Sequence, residues 1–191
     1  MPWPKDHKSR TRRKIVAAAS TAFRADGISH VRIEDVMTRA GLTHGGFYAH
    51  FDSKADLLRE ALGYAAEQTI EALSKPLADV RHKDRWRTVI DSYLSRAHVA
   101  HPEAGCPLAS LGPEIARTDS TTRKRLADLV KDRLTWMRQL LPQRRKPISH
   151  ECVIGSMACM LGGVILARAV SDKEASAILD ACRGFLRQQQ C

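Results

Sequence analysis

The sequence predicts an all-α chain. Apolar residues recur at helical spacing from residue 15 onward, and glycine, proline and Ser or Asp caps interrupt them at helix-length intervals. No alternating stretch is long enough for a strand. The pattern resolves into about nine helices. With 43% hydrophobic and 27% charged side chains over 191 residues, the chain can bury a sizeable core, which excludes disorder throughout.

The elements follow in order. The first 14 residues hold six Lys or Arg against one carboxylate, Asp6, and read as a basic arm whose start, at Pro2 and Pro4, is extended. Ile15, Ala19, Ala22 and Phe23 then mark one helical face, closed by Gly27 in a left-handed cap. Ile33, Val36, Met37 and Ala40 form a second short pattern, followed by a turn at Ala40-Gly41-Leu42-Thr43 and a third short segment over residues 44–50. Ser53 caps a longer helix, with Asp56 at the capping-box position, and Pro76 stops it. Further helices are expected over residues 84–99, 106–116, 119–141 (ended by Pro142), 149–169 and 172–189. The division that follows is 1–52 for the arm and three short helices, and 53–191 for a helical body entered through a linking helix.

The formal charge is +10, which points to a polyanionic partner, nucleic acid before an anionic membrane surface. Residues 1–60 carry only +4 of it, so the surplus is not confined to the N-terminal part. Five cysteines without a CxxC pair argue against a secreted disulfide framework, and a reducing cytoplasm is the expected compartment. The start of the chain has no apolar core of a signal peptide. The uncharged stretch 152–167 is shorter than a bilayer span and reads as a buried helix, so no membrane partner is expected.

The informative stretch is 33–51. Two short amphipathic segments flank a tight glycine reversal, the helix-turn-helix arrangement in which the second helix enters the major groove. Gly41 permits the reversal and Leu42 tucks beneath it. Thr43 is placed to cap the second helix. Gly45 and Gly46 are each poor in a helix by about 1 kcal/mol, which makes sense where a second backbone must approach closely. An ordinary helical hairpin would satisfy the same pattern.

Residues 10–62 resemble the DNA-binding domain of the TetR family of transcriptional regulators. The run Ala40-Gly41-Leu42-Thr43-His44-Gly45-Gly46-Phe47-Tyr48-Ala49-His50-Phe51-Asp52-Ser53-Lys54 meets every fixed position of the pattern Ala-Gly-(Val or Leu)-(Ser or Thr)-x-Gly-x-(Phe or Leu)-Tyr-x-His-Phe-x-x-Lys. The resemblance implies a three-helix DNA-binding head on a body of about six helices that binds a ligand and dimerises. It places Thr43, His44, Gly46 and Phe47 on the groove face. Tyr48, His50 and Lys54 would then contact phosphates, as would Arg32, where many relatives have Thr or Ser. Arg10 and Arg13 of the arm would follow the backbone or minor groove. The implied function is a homodimeric repressor released from a palindromic site in double-stranded DNA by a small-molecule effector.

In the body, Cys106 follows Gly105 at the start of a short helix, where a helix N-terminus favours a thiolate. His98, His101 and Arg117 stand near it in sequence. Release by oxidation or electrophile modification of Cys106 is therefore the alternative to a non-covalent ligand, and the competing reading is a small packing residue. Trp86, Tyr93, Leu108, Leu111, Leu134, Trp136 and Met137 are candidates to line a pocket, and equally to fill a core. Met157, Cys159, Met160, Leu161, Val164, Ile165 and Leu166, with Gly155, Gly162 and Gly163, suggest a dimer surface. Cys152, Cys159 and Cys182 read as core and Cys191 as a terminal residue. His98-x-x-His101 with Glu103 and Cys106 does not spell a tetrahedral zinc set, because Pro102 interrupts it, so no metal is expected. A cysteine-dependent enzyme using Cys106 with His98 or His101 is a remote third reading. No phosphate loop, acid pair or nucleophile elbow supports it, so neither enzyme activity nor a cofactor is expected.

Overall fold

The computed structural model describes residues 5–141 and 147–188. Pro2, Pro4, the stop at Pro142, Gln189 and Cys191 lie outside them. Among the described residues there are nine α-helices and no strand: α1 (Lys5–Asp26), α2 (Ile33–Arg39), α3 (Lys54–Ser74), α4 (His82–Tyr93), α5 (Arg96–Ala100), α6 (Pro107–Ile115), α7 (Ser120–Leu140), α8 (His150–Arg168) and α9 (Asp172–Gln188). Three 3₁₀ turns, His44–Ala49, Lys75–Leu77 and Pro102–Ala104, fall between them.

Local chemistry accounts for most boundaries. Gly27 ends α1 at φ +82° and Gly41 makes the reversal after α2 at φ +72°, a region that a Cβ disfavours. Ser53, Asp119 and Ser149 cap α3, α7 and α8, each accepting an amide hydrogen from the third residue on. Asp56 does not complete a capping box; its carboxylate takes Arg59 at 3.3 Å.

Two expectations give way. The basic arm does not precede the first helix: from Lys5 on it forms the first turns of α1, while its start at Pro2 and Pro4 lies outside the described residues. The single helix expected over 84–99 breaks after Tyr93, because competing groups take the carbonyls that would continue it. His98 Nδ1 bonds the Tyr93 carbonyl at 2.7 Å and Arg183 donates to that of Leu94. Ser95 then starts α5 by accepting from the His98 amide.

Two apolar clusters share α3. The first joins Ile15, Ala19 and Phe23 of α1, Val36 and Met37 of α2, Phe47 and Phe51, and Leu57, Leu58 and Leu62 of α3. It is closed from the body side by Leu111 and Ile115 of α6 and Leu129 of α7. Each fully buried Phe or Leu contributes about 1.5–3 kcal/mol. The second cluster takes Leu73 of α3 together with residues of α4 and α6–α9. α8 is long and apolar enough to cross a membrane by length and composition alone. In the fold it packs Val153, Met157, Met160 and Val164 into this second cluster.

The end of α6 reaches the head directly. Glu114 Oε2 accepts the Ile28 amide at 2.8 Å, and a methyl group on Gly27 would lie 2.9 Å from Glu114 Oε1. Gly41 has no such neighbour. Gly41→Ala is therefore expected to cost about 1–2 kcal/mol of backbone strain. Gly27→Ala is expected to cost more, because the same strain adds to displacement of the Glu114 carboxylate. Urea midpoints of the two variants check this, and equal losses would show that the Glu114 contact contributes nothing.

Candidate nucleic-acid interface and interior cavity

The turn after Gly41 builds the first site. Its His44–Ala49 segment is a 3₁₀ helix rather than the α-helix expected there. Thr43 occupies the N-cap position with extended backbone, but its hydroxyl makes no capping bond. Thr43, His44, Gly45, Tyr48 and Ala49 are exposed, Tyr48 to 65%. Gly45 has open space where a side chain would project.

Phe47 is not on this surface. It is fully buried and stacks on Phe51 with ring centroids 5.6 Å apart, so it holds the turn from beneath. Gly46 is half-buried, with Met37 3.7 Å from where its Cβ would stand.

The phosphate candidates divide. His50 is half-buried beside His7, Lys8 and Arg12. Burial, then Lys8, Arg12 and His7, lowers its pKa, which disfavours the imidazolium. Its Nδ1 is buried without a hydrogen-bond partner. Lys54 leans inward, its ammonium 6.0 Å from the Phe23 ring centroid, and burial lowers its pKa. Arg32 is exposed but already paired, its Nε and Nη2 each 3.1 Å from Asp35. An exposed pair of this kind holds weakly enough for a phosphate to compete. Arg10 and Arg13 are exposed on α1.

Sequence reasoning missed Arg12. Its guanidinium donates to the His50 carbonyl, pairs with Glu60 and lies 4.0 Å over the Phe51 ring. One side chain thus fastens α1 to the exposed turn and to α3. Nothing in its spacing separates it from the other cations of the arm.

The second site is a small cavity of about 10 Å³, room for about one water, lined by Tyr93, Cys106, Leu108, Arg133, Trp136 and Met137. Met157, Met160 and Leu161 complete its wall. These three had been assigned to a dimer surface; Met157 and Met160 are buried, as is Val164 at 0%. They face inward because α8 is packed on several sides. The exposed apolar residues of α8 and α9 are Ile154, Ile165, Leu166 and Phe185, of which Ile165 and Leu166 are among those the sequence suggests. Trp86 packs in the body core and Leu111 in the head-side cluster. Leu134 lines a separate surface crevice with Arg138 and His150.

Cys106 is buried, and a tight junction holds it. Its amide donates to His98 Nε2 at 2.9 Å, while His98 Nδ1 bonds the Tyr93 carbonyl. Both imidazole nitrogens are therefore engaged, which leaves none for a metal or for the thiol. Arg168 bonds the carbonyl of His98 at 2.9 Å and Ser110 Oγ at 3.1 Å. Buried Arg24 of α1 donates to the Gly105 carbonyl at 2.7 Å and to Gln68 at 2.9 Å. His101 pairs with Glu103 on the outside. Cys159 and Cys182 adjoin each other across α8 and α9, half-buried; burial and this neighbour push the Cys159 thiol up to about 11.

A glycine reversal and a short exposed turn on an apolar three-element base, carried by a helical body, define a helix-turn-helix protein. Residues 15–61 match the family described as bacterial regulatory proteins, tetR family. A TetR transcriptional regulator from Chloroflexus aurantiacus is 26% identical, covering 96% of this chain and 98% of that one at a TM-score of 0.79. A TetR-family regulator from Cytophaga hutchinsonii shares the fold at 18% identity and a TM-score of 0.81, with 98% and 97% covered. The HTH-type transcriptional regulator SrpR of Pseudomonas putida is 30% identical over 88 residues, 46% of this chain and 40% of SrpR. YfiR of Bacillus subtilis, also an HTH-type regulator, is 29% identical over 90 residues, 47% of this chain and 42% of YfiR. The chain thus spans about two-fifths of the length of these curated relatives. Its residues 15–61 match the tetR regulatory-protein family, and its whole fold is similar to that of solved TetR-family regulators.

His98 makes the cavity junction sensitive to acid. Burial, with Arg168 and Arg133 nearby, lowers its pKa to about 4 against the bond to Tyr93. The unfolded chain takes up this proton near pH 6.5 and the folded chain only near 4, so the contribution is complete above pH 6.5 and is lost as pH falls toward 4. It amounts to about 3 kcal/mol. Urea midpoints are expected to fall more steeply between pH 6.5 and 4 in the wild type than in His98→Gln. Parallel profiles would count against this role.

Proposed function

We propose that the chain is a homodimeric repressor whose two exposed turns read a roughly palindromic site in double-stranded DNA, and that a small molecule bound among the helices of the body releases it. The observation that carries this reading is the position of α6. Its first residues, Cys106 and Leu108, line the cavity, while Leu111 and Ile115 close the core beneath the exposed turn. Thr43, His44 and Tyr48 would address the groove and its phosphates. Lys8, Arg10, Arg13 and Arg32 would add phosphate contacts, and Arg12 would fix the turn they flank. Phosphate contacts position such a protein and base contacts specify its site. The cytoplasm is the matching compartment, and neither enzyme activity nor a cofactor is part of this function.

Dimerisation through α8 and α9 accounts for the exposure of Ile154, Ile165, Leu166 and Phe185. Gly155 and Gly162, with open space at their Cβ positions, allow a second helix close approach. Two heads would then meet half-sites about 34–36 Å apart or a multiple of that. Phe185→Asp is expected to give a monomer by light scattering, with paired-site binding lost. A dimer unchanged in mass would move the interface elsewhere.

Selection from a randomised duplex pool tests DNA reading. A two-fold-related sequence is expected, with binding that weakens as salt rises by a log–log slope of about −0.9 per phosphate contacted. Tyr48→Ala is expected to weaken binding about tenfold, or about 1.4 kcal/mol, with little change in stability. Phe47→Ala is expected to cost about 3–5 kcal/mol of stability. If no duplex is retained at low salt and free of effector, the regulator reading fails.

Modification of Cys106 is the alternative release route, favoured by the thiol's place in the cavity wall. Burial limits it to reagents that can enter the cavity. DNA release by diamide in the wild type but not in Cys106→Ser would select it. The same junction argues against an enzyme, since His98 receives the Cys106 amide and has no free nitrogen to act as base.

A further inference from the structure

Two cysteines stand together outside both sites. Cys159 of α8 and Cys182 of α9 are half-buried, and their thiols are in hydrogen-bonding contact. Gly163 makes that contact possible. It follows Cys159 by one helical turn, so both residues lie on the same side of α8. A Cβ at Gly163 would stand 3.0 Å from Cys182 Sγ, 3.4 Å from Cys182 Cβ and 3.0 Å from Leu94 Cδ2. Without that Cβ, α9 settles onto α8 at this level and Cys182 fills the space beside Cys159. Arg183, the next residue of α9, donates to the Leu94 carbonyl and holds the helix there.

A disulfide needs Cβ atoms about 3.5–4.5 Å apart, a separation that ordinary side chains at a helix crossing prevent. Here the thiols already touch across a crossing opened by a glycine, so closure requires side-chain rotation and no movement of a helix. The pair is also the more accessible target. Cys106 is 1% exposed, whereas Cys159 and Cys182 are each half-buried.

We propose that Cys159 and Cys182 are an oxidation site, converted by a small hydroperoxide into an intrachain disulfide that joins α8 to α9 and stabilises the body. The Cys182 thiol gives up its proton, and the thiolate attacks one peroxide oxygen. The O–O bond breaks, a sulfenic acid forms, and the departing hydroxide takes up a proton to become water. The Cys159 sulfur then attacks the sulfenic sulfur. The S–S bond forms, the S–O bond breaks, and the Cys159 proton leaves with the hydroxyl as a second water. The two sulfurs lose two electrons and the peroxide gains them. Cys182 makes the first attack because burial and its neighbour hold Cys159 as a thiol. The resulting bond restricts the unfolded chain, which favours the folded one. It gives the body a response to oxidant that does not pass through Cys106.

Hydrogen peroxide added to the full, DNA-free chain tests this, with alkylation of the remaining thiols and tryptic mapping. A link between Cys159 and Cys182 is expected, reversed by dithiothreitol, in a chain that stays single on a denaturing non-reducing gel and has a raised urea midpoint. Cys152 shares the tryptic peptide of Cys159, so Cys152→Ser is mapped in parallel and is expected to give the same link. Cys159→Ser and Cys182→Ser are each expected to lose the link and the rise in midpoint, and Cys106→Ser to keep both. Gly163→Ala is expected to slow closure severalfold. Should the variants fail to fold, the wild-type link and midpoint still decide. A link between two chains, a sulfinic acid at Cys182 with Cys159 untouched, a link that leaves the midpoint unmoved, or both thiols still reduced once Cys106 is oxidised would each overturn the proposal.

Discussion

The structure depends on how the Gly105–Cys106 junction is held. Four groups from distant parts of the chain converge on it: Arg24 from α1, Gln68 from α3 through Arg24, His98 from α5 and Arg168 from α8. Arg24 is buried, and burial lowers its pKa, but three bonds to neutral oxygens hold it in place. Gly105 leaves room for this convergence. A methyl group there would lie 2.8 Å from the His98 ring and 3.0 Å from Arg168 Nη2. Without the junction α6 has no fixed starting point, and α6 is the element shared by the cavity and the head-side core.

The dependence runs both ways along the chain. The apolar base of the exposed turn is not complete within residues 1–52, because Leu57, Leu58 and Leu62 of α3 and Leu111 and Ile115 of α6 supply part of it. The head therefore cannot repack independently of the body. Close-packed interiors have little slack, so a shift at one end of a nine-residue helix is felt at the other.

Much of this fold was legible because helices announce themselves locally. The caps at Ser53 and Asp119, the left-handed glycines at 27 and 41 and the apolar stripes of α1 and α4 are all short-range signals. The failures are equally physical. The break after Tyr93 depends on Arg183, 89 residues further on from Leu94, and on the His98 ring of α5 turning back to the end of α4. Periodicity around Met157, Met160 and Val164 showed an apolar helix but not which side faced solvent, since α8 is apolar nearly all round. Phe47 was assigned outward from its place in the motif, although a phenylalanine four residues before Phe51 also fits a shared buried face. Arg133 gave no signal at all. A cation on a helix is ordinarily solvated, and only the fold shows that this one is enclosed.

The magnitudes bear on how an occupant of the cavity could act at the DNA surface. A hundredfold loss of DNA affinity requires about 2.7 kcal/mol of difference between two states. A hydrogen bond to a charged group contributes about 1.5–3 kcal/mol, so losing the Arg24–Gly105 bond alone falls in that range. An occupant that enters beside Cys106 presses on the wall from which α6 starts. Its binding favours release only if the junction must loosen to admit it. The closed geometry around Cys106 and the bonds converging on Gly105 give the reason it would.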